Sequence, residues 1–257
     1  MTLLLKLLLA PALVVGSSLA GRRWGAQVTG MLVALPIVAG PILLIICLEQ
    51  GTGFGAQAAT SSLLGLVSLS LFVVVFAWCS RSRGWVASLL VSWGACLAAG
   101  FGLAQLVVPP VWGLVVALAA SATAARILAG PDRADASPAG AVQETRPWWD
   151  LPGRAVATAV LVLVVTGASG ALGPNLTGVL APFPIATSVV AAFALAQQGS
   201  AGAVLTLRGF LRGLFGFSAF CFLVAVLVEP LGVAAAFGIG LLGAVAVQVG
   251  WRVLAPV

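Results

Sequence analysis

Of the 257 residues, 61% are hydrophobic and 7% charged, and the mean hydropathy is +1.19; ordinary soluble domains carry about 25% charged residues. The chain is therefore expected to lie in a bilayer, where about 20 apolar residues per helical crossing leave room for roughly nine to eleven spans and no sizeable soluble domain. Histidine and tyrosine are both absent, which removes imidazole acid–base chemistry, His-ligated metal and most haem ligation.

Apolar runs broken by Gly, Pro and charge predict nine helices, near residues 3–20, 27–48, 56–79, 84–106, 109–128, 154–172, 176–196, 206–228 and 231–251. The fold class expected is an all-α polytopic transmembrane helix bundle. Its one long polar stretch, residues 130–153, holds four of the six acids, Asp132, Asp135, Glu144 and Asp150, and reads as a solvated cytoplasmic linker between two membrane halves. The expected organisation is a four-span unit over 1–107, a linking helix over 108–129, the linker over 130–153 and a second four-span unit over 154–257.

The net charge of +6 comes from twelve basic residues against six acids, a balance that suggests nucleic acid in a soluble protein but has a topological cause here. With nine spans, Arg22, Arg23, Arg81, Arg83, Arg126, Arg133, Arg146, Arg154, Arg208, Arg212 and Arg252 share one face, and Lys6 alone falls on the other. The positive-inside rule makes the arginine face cytoplasmic, with the N-terminus outside and the C-terminus inside. Trp24, Trp78, Trp85, Trp148, Trp149 and Trp251 sit at or near the same boundary, where indole rings favour the headgroup layer. A rival reading takes Met1 to Ala20 as a cleaved signal peptide, since Lys6, an apolar run and Ser18-Leu19-Ala20 fit that outline, and it would invert every later loop.

Sliding the chain on itself by 148 residues aligns 28–51 with 176–199 without a gap. Thr29 meets Thr177, Gly30 meets Gly178, Pro36 meets Pro184, Gln50 meets Gln198, Gly51 meets Gly199, Gly65 meets Gly213, Ser70 meets Ser218 and Phe72 meets Phe220. Coincidences of Gly, Pro, Gln and Phe in one register indicate an internal duplication. Five crossings separate equivalent points, and an odd number turns the second copy upside down, as in the inverted repeats of many secondary transporters.

Each copy resembles the GlpM-like small membrane proteins, a family of four-helix bacterial inner-membrane proteins. The likeness rests on Gly30 to Pro36 and Gly178 to Pro184, then on a thirteen-residue step to Glu49-Gln50-Gly51 and Gln197-Gln198-Gly199, and it covers roughly 3–107 and 151–255. The resemblance implies a multi-pass protein of the bacterial inner (plasma) membrane with poorly defined activity, and a link to exopolysaccharide (alginate) production in some members. The tandem fusion, and Gln197 in place of an acid at the position of Glu49, depart from that pattern.

The broken second helix of each copy is the strongest local anomaly. Pro36 and Pro41 withhold partners from the carbonyls of Leu32 and Ile37, and Pro182 and Pro184 from those of Gly178 and Leu180. Paired interrupted helices at equivalent positions point to a transporter site; a kink tolerated for packing is the plainer account. Glu49 offers proton or cation coupling or a solvated helix end, and Glu229-Pro230 reads as a helix stop. Arg208 and Arg212 project from one helix face and could hold a phosphate or carboxylate, or snorkel as anchors. Gln50, Gln197, Gln198 and Asn175 could supply uncharged hydrogen bonds near the two mouths or solvate loops.

Cys47, Cys79, Cys96 and Cys221 stand singly with no C-x-x-C spacing, so they read as buried fillers rather than a zinc or redox site. No metal, no cofactor and no enzymatic activity are expected, since no paired acids and no Ser–Lys arrangement occur. The expected partners are the lipid bilayer and a small uncharged, amphipathic or lipid-like solute, not nucleic acid; a homo-oligomer is compatible with the sequence. Two functions fit: a small secondary transporter or exporter, or a non-transporting scaffold of an envelope or exopolysaccharide assembly.

Overall fold

The computed structural model describes residues 2–36, 39–129, 149–172 and 183–254. In hydrocarbon no water is on hand to satisfy a backbone N–H or C=O, so apolar runs of this composition close their hydrogen bonds within the segment as helices. Among the described residues there are nine helices and no strand: α1 (Thr2–Trp24), α2 (Ala26–Val33), α3 (Ala39–Gln50), α4 (Thr52–Cys79), α5 (Trp85–Ala104), α6 (Pro110–Leu128), α7 (Asp150–Leu172), α8 (Ile185–Leu231) and α9 (Val233–Leu254). Five apolar segments, Thr52–Cys79, Trp85–Ala104, Pro110–Leu128, Ile185–Leu231 and Val233–Gly250, are long enough to cross a bilayer. The chain is a multi-pass membrane protein.

Two joints differ from the sequence expectation. The helix predicted over 27–48 is split into α2 and α3 by a turn that includes Pro36. The helices predicted over 176–196 and 206–228 meet without a loop, because Gly199 (φ 72°, ψ −171°) redirects the chain within one residue, leaving helical segments 185–198 and 200–231 in α8. Gly51 has the same backbone form (φ 91°, ψ 165°) between α3 and α4. A side chain at either glycine would meet the steric cost of the left-handed region, so both joints depend on the missing Cβ.

Helices α4 and α8 form the centre. Their apolar windows are 67% and 56% buried, against 22% for α5 and 28% for α6 and α9. Phe72 and Phe76 from α4 and Leu207, Leu211, Leu214 and Phe220 from α8 are fully buried. The outer helices turn Val115 and Val116 (α6), Val160 and Leu163 (α7), and Leu242 and Val245 (α9) outward, an apolar coat suited to lipid chains rather than water. Small residues bring α2 against α8: a Cβ on Gly30 would fall 2.6 Å from the Phe210 amide nitrogen, and one on Gly209 would fall 2.7 Å from the Gln27 carbonyl carbon. Such closeness gains van der Waals contact where no hydrophobic driving force exists between helices.

The two ends of the bundle differ in charge. Glu229, near the end of α8, reaches to 3.3 Å from a Cβ position on Gly53, at the start of α4. Segment 200–231 spans about 45 Å, so Gln198 lies at one end of the bundle while Glu49 and Glu229 lie at the other. Arg22, Arg154, Arg208 and Arg212 gather at the Gln198 end through contacts among α1, α2, α6, α7 and α8.

Candidate functional site

Among the described residues, the backbone next to the prolines is partly satisfied by other contacts. Pro36 is buried, and the Leu32 carbonyl accepts instead from the Leu35 amide at 3.1 Å, tightening the last turn. Pro41 falls in the first turn of α3, where backbone nitrogens have no intrahelical acceptor, so it costs no hydrogen bond. Pro184 is buried at the start of α8 and its carbonyl accepts from the Ser188 amide at 2.8 Å. Pro182 and Asn175 lie outside the described residues. A side-chain clasp holds the α8 entry: Trp93 of α5 donates from Nε1 to Ser188 Oγ at 2.8 Å, and its ring lies 5.2 Å from that of Phe183.

Glu49 and Gln50 are exposed at the acidic end. Arg208 and Arg212, which the sequence reads either as holders of a phosphate or carboxylate or as snorkelling anchors, make hydrogen bonds within the bundle. Arg208 donates from Nε (2.8 Å) and from Nη2 to the Leu128 carbonyl, in the last turn of α6, where a cation also meets the negative end of the helix dipole. Arg212 donates from Nη1 to Gln27 Oε1 at 2.9 Å, joining α8 to α2.

The principal correction concerns Asp150. Placed by the sequence in a solvated linker, it is the first residue of α7 and fully buried. Its Oδ1 accepts from Arg154 Nε and from Gln197 Nε2, both at 2.8 Å, and its Oδ2 accepts from Arg22 Nη2 at 3.0 Å. Arg154 is 3% exposed, donates also to Gln197 Oε1 at 3.4 Å, and lies 4.9 Å above the Phe193 ring. Thus α1, α7 and the 185–198 segment are tied by one carboxylate, two guanidiniums and an amide. Burial pushes the Asp150 carboxyl up, but hydrogen bonds from Arg154 and Gln197, the Arg154 charge and the Arg22 bond outweigh it and hold the group below the usual carboxylate range.

Beside this cluster lies a small polar cavity lined by Ser18, Ala26, Thr29, Arg154, Val190, Ala194, Gln198 and Thr206. Its volume of about 10 Å³ is the room of one water molecule. Asp150 is not among its walls. None of the lining residues comes from the described parts of 32–41 and 180–188, which would border the cavity of a transporter and be packed dry in a scaffold.

The sequence supplied Gln197 and Gln198 but missed Asp150, Arg154, Arg22, Thr29 and Thr206 as members of one site. Two signals could have found part of it. Asp150 and Arg154 stand at helical i, i+4 spacing, and the shift by 148 sets Lys6 at the position of Arg154. Among the described residues no group of His, Cys, Asp and Glu could hold a metal, and the four cysteines are buried and unpaired. No protein-family model, no curated protein and no solved structure matches the chain.

Proposed function

We propose that the protein is a small secondary transporter or exporter of the bacterial inner membrane, built of nine crossings as two inverted four-helix units joined by α6 and the 130–153 segment. The observation that carries this reading is reciprocal packing of interrupted helices. Helix α3, after the Pro36 turn, packs on α9, while the segment after Pro184 packs on α5 through Trp93. Each broken second helix thus meets the fourth helix of the opposite unit, as a pseudo-two-fold axis in the membrane plane requires. The shared glycine joints at Gly51 and Gly199, equivalent under the 148-residue shift, support the same relation. So does the likeness of each unit to the GlpM-like proteins, which also suits an inner-membrane location.

On this reading the Asp150 cluster closes the arginine-rich, cytoplasmic end. Charges inside a bundle are costly and are kept where they serve a pathway or a gate, and this one joins α1, α7 and α8 between the two units. The solute is uncharged, amphipathic or lipid-like, and the cavity beside the cluster holds no more than a water-sized group. Release of the cluster would let α1 and α7 part.

The small cavity also favours a second reading, a non-transporting scaffold whose interior is simply packed. Reconstituted liposomes separate the two. Flux of amphipathic solutes that saturates, and that changes in Asp150→Asn and in Trp93→Phe, is the expected result. Folded protein that moves none of a panel of neutral, amphipathic and lipid solutes would overturn the transporter reading in favour of the scaffold.

A further inference from the structure

We infer that the groove between α5 and α6, at the arginine-rich end of the bundle, seats one anionic phospholipid, with an acyl chain along α4 and the phosphate at Arg83. This inference does not rest on the transport reading and holds equally for a scaffold.

The groove follows from how three helices meet. Helix α4 packs against both α5 and α6, which pack on it rather than on each other. Ser68 of α4 faces α5, its Oγ 3.6 Å from a Cβ position on Gly100, and Ser70 faces α6, its Oγ 3.2 Å from that of Ser121. At about 100° per residue, Leu71, Val75 and Trp78 fall on the arc of α4 between those two directions. The neighbours leave this arc open: Leu71 is 39% exposed, Trp78 is 73% exposed and Val75 is half-buried, on a helix that otherwise forms the centre of the bundle. From Leu71 to Trp78 the apolar floor runs for about 10 Å. An acyl chain is the occupant a bilayer supplies for such a floor, because the hydrocarbon region holds no water to fill it.

The charge at the mouth selects the headgroup. Helices α4 and α6 run parallel, since the contacts Leu63 to Gly113 and Ser70 to Ser121 advance together along both. The groove therefore opens at the end where Arg208 holds the Leu128 carbonyl. There the turn from α4 to α5 carries Arg81 and Arg83, both exposed, between the exposed rings of Trp78 and Trp85. Arg81 has an interaction within the protein, so the site is assigned to Arg83, whose side chain makes no ion pair among the described residues. The one carboxylate described at this end, Asp150, is buried and bonded to Arg22, Arg154 and Gln197. A guanidinium at headgroup depth is matched by a phosphodiester, and the two indoles favour that same depth. A zwitterionic lipid brings its own ammonium into this positive field, whereas an anionic one does not, so the mouth discriminates between them.

Native mass spectrometry of the whole protein, released from micelles titrated with phosphatidylglycerol or with phosphatidylcholine of the same chains, counts the bound lipid and gives its apparent Kd. The expected result is one saturable phosphatidylglycerol, held more tightly than phosphatidylcholine. Arg83→Gln should weaken it about fivefold, the share of one guanidinium near a membrane surface. Leu71→Trp, which fills the groove and leaves the charge alone, should weaken both lipids. Arg23→Gln is the control, since Arg23 is exposed at the end of α1, which packs on α2, α7 and α8, and it should leave the Kd unchanged. All three variants should keep the parent's unfolding midpoint in lipid-free detergent to within a few degrees. Equal affinity of the parent for the two lipids would overturn the inference, as would a loss in Arg23→Gln matching that in Arg83→Gln, which would mean a diffuse field rather than a site. Full retention in Leu71→Trp, or displacement of the lipid by inorganic phosphate alone, would show that the groove holds no chain and would equally overturn it.

Discussion

Replacing Asp150 by Asn keeps the side-chain shape and deletes its charge. The carboxylate is fully buried, faces a guanidinium that is 3% exposed, and accepts three hydrogen bonds. Removing one partner of a buried pair leaves the other charge uncompensated, which costs about 3–5 kcal/mol. The Arg22 arm contributes little to this, since its side chain is 35% exposed and pairs of that kind are worth about 0–1 kcal/mol. Removing both buried charges together as Asp150→Leu/Arg154→Leu should cost less than either single change, because the desolvation penalty then disappears with the attraction. Equilibrium unfolding of the purified protein in mixed micelles, arranged as a double-mutant cycle, measures these differences. The reasoning fails if Asp150→Asn costs less than about 1 kcal/mol, or if Arg22→Gln proves more damaging than Arg154→Gln.

Three further outcomes follow from the same geometry. Because the Asp150 carboxyl is held below its ordinary value, its contribution is fully present above the unfolded carboxylate pKa of about 4 and is lost as pH falls through the lower folded value. Unfolding midpoints should thus stay level from pH 7 to about pH 5 and drop in stronger acid, and Asp150→Asn should flatten that drop. Gly30→Ala forces α2 away from the α8 backbone at Thr206 and Phe210 and should cost about 1–3 kcal/mol, whereas Gly94→Ala, with open space around it, should be neutral or stabilising in the same assay. Gly51→Ala and Gly199→Ala place a Cβ at φ 91° and 72° and should each cost about 1–2 kcal/mol, read as a lower unfolding midpoint, while Gly84→Ala at φ −67° should not.

Helix positions were legible in the sequence because hydrocarbon permits so few backbone solutions. The runs over 84–106 and 109–128 match α5 and α6 within about two residues. Composition marks Gly199, a glycine after two glutamines, as a turn but does not tell a one-residue joint from the nine-residue connection between 196 and 206. The basic end was legible as a count of arginines, yet the partners of those arginines were not. Asp150 sits among linker residues by composition, and only the packing of α7 against α1 and α8 makes it a buried hub. Gln197 was visible as one half of a repeated polar pair, while its use as a donor to Asp150 depends on a contact 47 residues away in sequence. Thr29 and Thr206 could not be distinguished from ordinary helix residues without the close approach that Gly30 and Gly209 permit.

The arrangement of the ends is tested most directly by single-cysteine accessibility in intact cells, since the four native cysteines are buried. Glu49→Cys and Gln105→Cys, both exposed positions at the acidic end, should react with a membrane-impermeant maleimide added outside. Ser82→Cys, exposed in the turn after α4, should react only once the membrane is opened. Labelling of Glu49→Cys and Ser82→Cys from the same side would contradict the account.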